Sequence, residues 1–216
     1  MILSIDTTSE FGSVALTEGE RTIAECLLHS SDGFGHVLYA HLEQLLAEQA
    51  AQLDDMECFA AASGPGSFTG VRVGLTAVKG LAEVTGKRVA PVSNLRALAA
   101  FGSAPLRAVA LDARRGEVYA AVYNDRLELV MPEAVLKYEI WPETLPPSGF
   151  ELISPDFSPF QAFVPSGIPM VVAPRALAGV IGRIAAAELR CGRACDPAEV
   201  DANYVRRSDA ELFWKE

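Results

Sequence analysis

Three histidines and four cysteines are all that this chain of 216 residues offers a soft metal ion, and they are scattered. His36 and His41 lie five apart and cannot share a helical face, and His29 is further away still. Cys191 and Cys195 stand near each other, but one Cys-x-x-x-Cys without a second pair or a neighbouring histidine is a poor zinc set. With Cys26 and Cys58 they read as reduced structural thiols of a cytoplasmic protein. Long apolar runs are missing too. No stretch of about 18 apolar residues occurs, so no membrane span is expected, and Asp6 interrupts the opening apolar run before it could serve as a secretory leader. Positive charge is short, with 18 Lys and Arg against 28 Asp and Glu, a formal net charge of −10. Such a balance excludes a protein that holds a phosphate backbone by its general field, and leaves RNA contact to a local patch or a partner. The chain has no Gly-Lys-Ser/Thr to close a Walker A loop, no Gly-x-Gly-x-x-Gly and no Gly-Gly pair.

Half the residues are hydrophobic, enough to bury a core in one domain or two small lobes. The most organised stretch is SGPGSFTGVRVGLTAVKGLAE, residues 63–83, a glycine-rich loop running into a helix. Its polar residues Arg72, Thr76, Lys79 and Glu83 follow one another by four, three and four, which makes a single narrow stripe. The remainder of the helix is apolar or small. A helix covered only by its own sheet carries a broader polar face, so this one is expected to bury a second side, with Gly70, Gly74 and Ala77 admitting a close neighbour. The competing reading is an anion cradle, because a glycine loop at a helix start presents free N–H groups.

In chain order, residues 2–5, 12–17 and 21–28 read as three strands joined by tight turns, an antiparallel meander with Asp6, Thr7 and Thr8 at its first corner. Those three either cap the turn or face a phosphate, the aspartate orienting a metal-bound water. Residues 34–51 have helical spacing, with Leu38, Leu42 and Leu45 on one face. A buried strand at 56–63 leads into the glycine loop, and a strand at 88–92 precedes a short helix capped by Ser93 or Asn94. Gly102-Ser103-Ala104-Pro105 is the best linker, which divides the chain into lobes at 1–103 and 104–216, the tail free to pack back on the first. After it VALDARRGEVYAAV echoes LSIDTTSEFGSVAL: strand, aspartate (Asp112 or Asp6), turn, glycine, strand. The echo predicts duplicated lobes whose aspartate corners face one cleft, an architecture like that of the actin, sugar-kinase and Hsp70 ATPases. Eight prolines ahead of Pro174 fragment 124–174 into short pieces with strands at 127–131, 151–154 and 170–173. Pro174 opens a last helix that Gly192 stops. In the tail, Arg206, Arg207 and Lys215 read as a solvated face.

IDTTSEFGSVAL, His29-Ser30, SGPGSFTGVRVGLTAVKGLA, LDARRGEVY and Tyr204-Val205-Arg206 together resemble the bacterial TsaB (YeaZ) family, densely over 1–123 and weakly at the tail. The resemblance implies an α/β, two-lobed actin-like ATPase (ASKHA, ribonuclease H-like) fold with duplicated lobes. It also implies a part in forming N6-threonylcarbamoyladenosine in tRNA beside the anticodon, as the non-catalytic partner of the transferase TsaD, with the ATPase TsaE joining them. The family's pairing surface is its first two helices, here 34–51 with Leu38, Leu42 and Leu45, and 69–83 with Gly70, Val71, Arg72, Val73, Gly74, Ala77 and Leu81. Without its partner the chain is expected to pair with a second copy through the same surface. RNA is expected to be met only through the complex.

The residues point the same way. Thr8 stands where a phosphate-binding Asp-x-Gly has its glycine, and Arg114 and Arg115 crowd the second corner. Asp6, Thr7, Thr8 and Asp112 therefore read as the remnant of a nucleotide site. No cofactor of its own is expected; ATP or ADP, where used, belongs at the boundary with TsaD. The alternative is an active nucleotide-dependent enzyme of the actin or sugar-kinase type, with Asp6 and Asp112 holding magnesium. A protease has no nucleophile and base behind it.

Overall fold

The computed structural model describes residues 1–206. Strands β1 (Ile2–Asp6), β2 (Phe11–Glu18) and β3 (Arg21–His29) form the antiparallel meander. On the other side of β1 lies β4 (Cys58–Gly64), parallel to it, and then β5 (Arg88–Ser93), parallel to β4, giving the order β3-β2-β1-β4-β5. Parallel neighbours need crossover connections, which helix α1 (Leu38–Glu48) and helix α2 (Phe68–Thr85) supply. The run CFAAASG of β4 is buried along its whole length, as a central strand covered on both faces must be. The short helix α3 (Asn94–Ala99) follows β5.

Side-chain alternation sorts the two faces of this sheet. Leu3, Ile5, Val14 and Leu16 join Leu38, Leu42, Leu45, Val71, Leu75 and Val78 in one core beneath α1 and α2. The intervening residues Ser4, Ser13 and Thr17 lie under the last helix, α4 (Ala178–Arg190). There the Ser4 hydroxyl donates to the Ala178 carbonyl at 2.7 Å, and the Ser13 hydroxyl accepts the N–H groups of Leu177 and Ala178. Because that face is small and polar, α4 comes close: a methyl group on Gly182 would lie 2.7 Å from Thr17 Cγ2.

A second sheet repeats the plan. Strands β6 (Leu106–Arg114), β7 (Glu117–Asn124), β8 (Leu129–Lys137), β9 (Phe150–Ser154) and β10 (Met170–Val172) stand in the order β10-β9-β6-β7-β8. β6 is antiparallel to β7 and parallel to β9, as β1 is to β2 and β4. Where the first sheet has α1 and α2, the second has only 3₁₀ turns at Trp141–Thr144 and Ser158–Phe163. Their rings Trp141, Phe157 and Phe160 pack edge-on and fill the core over Ala108, Ala110, Val118 and Leu152. Pro132 sits within β8, an edge strand where a missing N–H is tolerated. That strand extends six residues past the expected end at 131, through Lys137.

The described residues divide into two compact units, Met1–Ala97 with Arg175–Asn203, and Leu98–Pro174 with residues 204–206. The break therefore falls after Ala97 and not at 103, and the last helix belongs to the first unit, since only its small-residue face matches the serines and threonine of that sheet. Arg206 also differs from the expectation of a solvated face. It is half-buried, donates to the Ala113 carbonyl at 3.0 Å, pairs with Glu117 and lies over the Tyr119 ring. Arg207 and Lys215 lie outside the described residues. Among the described residues no helix is long and apolar enough to cross a membrane.

Candidate functional site

Helix α2 starts at a Ser67 cap, whose hydroxyl accepts from the Gly70 N–H, and stops at Gly86 in the left-handed conformation. Its stripe of Arg72, Thr76 and Glu83 is exposed, with Lys79 half-buried, as the spacing requires. The second covering that the apolar circumference demanded comes in part from the chain itself. The Lys79 ammonium donates to the Val200 carbonyl, and Val200 and Ala202 pack into the core that α2 shares. The Asn203 N–H in turn donates to the Ser63 carbonyl at 2.8 Å.

This narrows the expected docking residues. Leu38, Leu42, Leu45, Gly70, Val71, Gly74 and Ala77 are buried in the first unit's own core or against its own backbone. Val73 and Leu81 are half-buried and pack on that core, and Arg72 alone of the ten is well exposed. The reason is registry. Positions that look like a second apolar face on a helical wheel are used against β1, β4, β5 and the 197–203 segment.

An outward apolar surface exists nevertheless, along a groove of about 400 Å³ between α1 and α2. Leu38, Val73 and Ala77 are among its lining residues, with Gly35, Tyr39, Phe68, Thr69, Arg72 and Thr76. Tyr39 is 58% exposed and Phe68 46%, both unusual for rings, and the Arg72 guanidinium lies 3.7 Å from the Phe68 ring centroid. Sequence reasoning missed Tyr39 and Phe68. Their signal was an aromatic residue within the first two positions of each of two neighbouring helices, off the apolar face that the leucine and valine spacing marks.

The aspartate corner of the first unit is closed. Asp6 is 2% exposed, and its Oδ1 accepts from the Thr8 N–H at 2.9 Å and the Thr8 hydroxyl at 2.6 Å. Asn94 donates to the Thr8 hydroxyl oxygen and accepts from the Gly64 N–H. Burial holds the Asp6 carboxyl above its ordinary range, against the hydrogen bonds from Thr8 and Asn94 that pull it down, while the charge of Glu25 adds to the rise. The Thr7 hydroxyl donates to the Gly70 carbonyl at 2.7 Å, and the Ser67 N–H to the Thr8 carbonyl at 2.7 Å. The glycine loop thus lies directly on the corner, with its N–H groups at Gly64, Ser67 and Gly70 engaged within the chain.

In the second unit Asp112 is exposed. Its Oδ1 accepts from the Arg114 N–H and from the Tyr138 hydroxyl, and burial together with that bond pushes the Tyr138 phenol up to about 12. Arg114 and Arg115 take the left-handed conformation at the turn. Among the described residues, no three His, Cys, Asp or Glu side chains gather as metal ligands would.

Two five-stranded sheets of identical winding, each with an aspartate at the end of its first strand, define a duplicated actin-like α/β protein. The chain belongs to the TsaB (YeaZ) group of the family described as TsaD, tRNA N6-adenosine threonylcarbamoyltransferase, whose model matches residues 31–169. It is 34% identical over 149 residues to the tRNA threonylcarbamoyladenosine biosynthesis protein TsaB of Bacillus subtilis, covering 67% of this chain and 65% of that one. The protein of the same description from Escherichia coli is 36% identical over 147 residues, covering 64% of this chain and 63% of its own length. Each match thus spans slightly less than two thirds of the curated relative. The solved structure of YeaZ from Pseudomonas aeruginosa superposes with a TM-score of 0.81 at 25% identity, over 94% of this chain and 98% of that one.

Proposed function

We propose that this protein is a non-catalytic partner subunit in the formation of N6-threonylcarbamoyladenosine in tRNA, docking a TsaD-type transferase on the groove between α1 and α2. The observation that carries this reading is the pair of exposed rings, Tyr39 on α1 and Phe68 on α2, which line one groove together with the half-buried Val73. A lone globular protein gains nothing by holding such rings in water, whereas interface centres are enriched in them. A transferase of the same family would present a related helix pair, so the groove can be covered by a relative with the same packing rules. A TsaE-type ATPase then joins the assembled pair, and tRNA is met through the complex. In the absence of the transferase a second copy covers the groove, which light scattering on the isolated chain reads directly.

The non-catalytic role is supported by the corner at Asp6, whose carboxylate, hydroxyls and neighbouring N–H groups serve the chain's own loop. Depletion of the protein followed by mass spectrometry of tRNA nucleosides tests the function. Loss of threonylcarbamoyladenosine, restored by the parent protein and also by its Asp112→Ala variant, is the expected result. Undiminished modification refutes it, and steady ATP hydrolysis by the purified chain that Asp6→Ala abolishes would establish the nucleotide-using enzyme instead.

A further inference from the structure

Three glycines of the α2 approach, Gly66, Gly70 and Gly74, all meet the same two residues. A methyl group on Gly66 would lie 2.7 Å from the Thr8 carbonyl oxygen, one on Gly70 would run into the Thr7 carbonyl oxygen, and one on Gly74 would lie 2.8 Å from Thr7 Oγ1. At Gly66 and Gly70 the contact is therefore backbone on backbone, which only glycine permits, and at Gly74 it is the Thr7 side chain that comes close. It is also bonded: the Thr7 hydroxyl to the Gly70 carbonyl, and the Ser67 N–H to the Thr8 carbonyl. Behind it, Asp6 and Asn94 hold Thr8 from two sides. Phe68, Thr69 and Arg72, which line the groove, sit on that same first turn and a half.

We propose that the Asp6-Thr7-Thr8 corner is the seat that sets the position of α2 for docking, and that Thr7 is a positioning residue for the partner surface. The corner's polar groups are spent on the helix that carries Phe68 and Arg72, so the turn that faces a nucleotide in an enzyme of this architecture here fixes an interface. The proposal rests on the reading of the groove as the transferase's dock.

Thr7→Val tests it. The substitution keeps the shape, but puts a methyl where the hydroxyl now approaches the Gly70 carbonyl at 2.7 Å. Carbon needs about 3.3 Å there, so the start of α2 must move by about half an ångström. Titration calorimetry of the full-length chain against the purified transferase should show affinity reduced by about tenfold, the equivalent of one mispositioned buried bond. Thr7→Ser, which keeps the hydroxyl, should bind within about twofold of the parent. Ser4→Ala supplies the control, since it removes a bond of the same length to α4 on the opposite face of the sheet. It should lower the melting temperature and leave the affinity alone.

Parent-like affinity in Thr7→Val, or equal weakening in Ser4→Ala, overturns the proposal. If the parent itself does not bind the transferase, the docking reading fails, and amide hydrogen exchange decides the seat separately. Exchange over residues 68–73 must then quicken in Thr7→Val while α4 is unchanged, and unaltered exchange refutes it. Thr7→Ala, which removes hydroxyl and clash together, takes the place of Thr7→Val in either assay should that variant not fold.

Discussion

Removing the Phe68 ring should weaken transferase docking while leaving the free chain folded, and the size of the effect follows from its exposure. A phenylalanine side chain presents about 200 Å² when fully open. At 46% exposure, about 90 Å² remains to be covered by a partner. At about 25 cal/mol per Å² that area is worth about 2 kcal/mol, or about 30-fold in affinity. Phe68→Ala should therefore raise the dissociation constant for the transferase by that factor in titration calorimetry, and Tyr39→Ala, with a ring more exposed still, by at least as much. Val84→Ala on the same helix is the control. Val84 is 86% exposed but does not line the groove, so its truncation should be silent in binding. Circular dichroism must show parent-like helix content in all three variants. Affinity within twofold of the parent for both ring variants, with the fold retained, would refute the assignment of the groove.

Two further perturbations probe the scaffold. Gly182→Ala should destabilise the protein by about 1 kcal/mol, although helix propensity alone favours alanine by about that amount, because the new methyl meets Thr17. Combined with Thr17→Ala, which removes the obstacle and a buried hydroxyl lacking a hydrogen-bond partner, it should become more stable than the single variant by urea unfolding; strict additivity would contradict the close packing. Asp6→Asn should change the pH dependence of stability. A carboxyl whose folded pKa is raised contributes most below its unfolded value of 3.8 and loses that contribution as pH rises through the folded value. The neutral amide escapes this loss, so the variant's stability relative to the parent should improve as the pH rises above about 4; a difference independent of pH counts against burial as the dominant influence.

Much of this molecule is written in short-range spacing. The alternation of Leu3, Ser4 and Ile5 tells which residues share a sheet face. The steps from Arg72 to Thr76, Lys79 and Glu83 mark the outer stripe of α2, and the echo of LSIDTTSEFGSVAL in VALDARRGEVYAAV foretells two sheets of one topology. Each of these signals depends only on neighbours two to four residues away, or on comparison of the chain with itself, so it survives in a linear text.

Other features required the folded chain. Helical periodicity says that Gly74 and Leu42 are covered but not by what, and the cover is the first unit's own chain. The return of Arg175–Asn203 to that unit depends on matching Gly179 and Gly182 to Thr22, Thr17 and Ser4, residues more than 150 positions away. Closure of the Asp6 corner by Gly66 and Gly70 is likewise a contact between distant backbones. Pairings of this kind are selected by the sum of many weak contacts across the whole fold, so no local spacing announces them. Composition and periodicity set the elements and their faces; the long-range packing decided which apolar residues stayed exposed in the groove between α1 and α2.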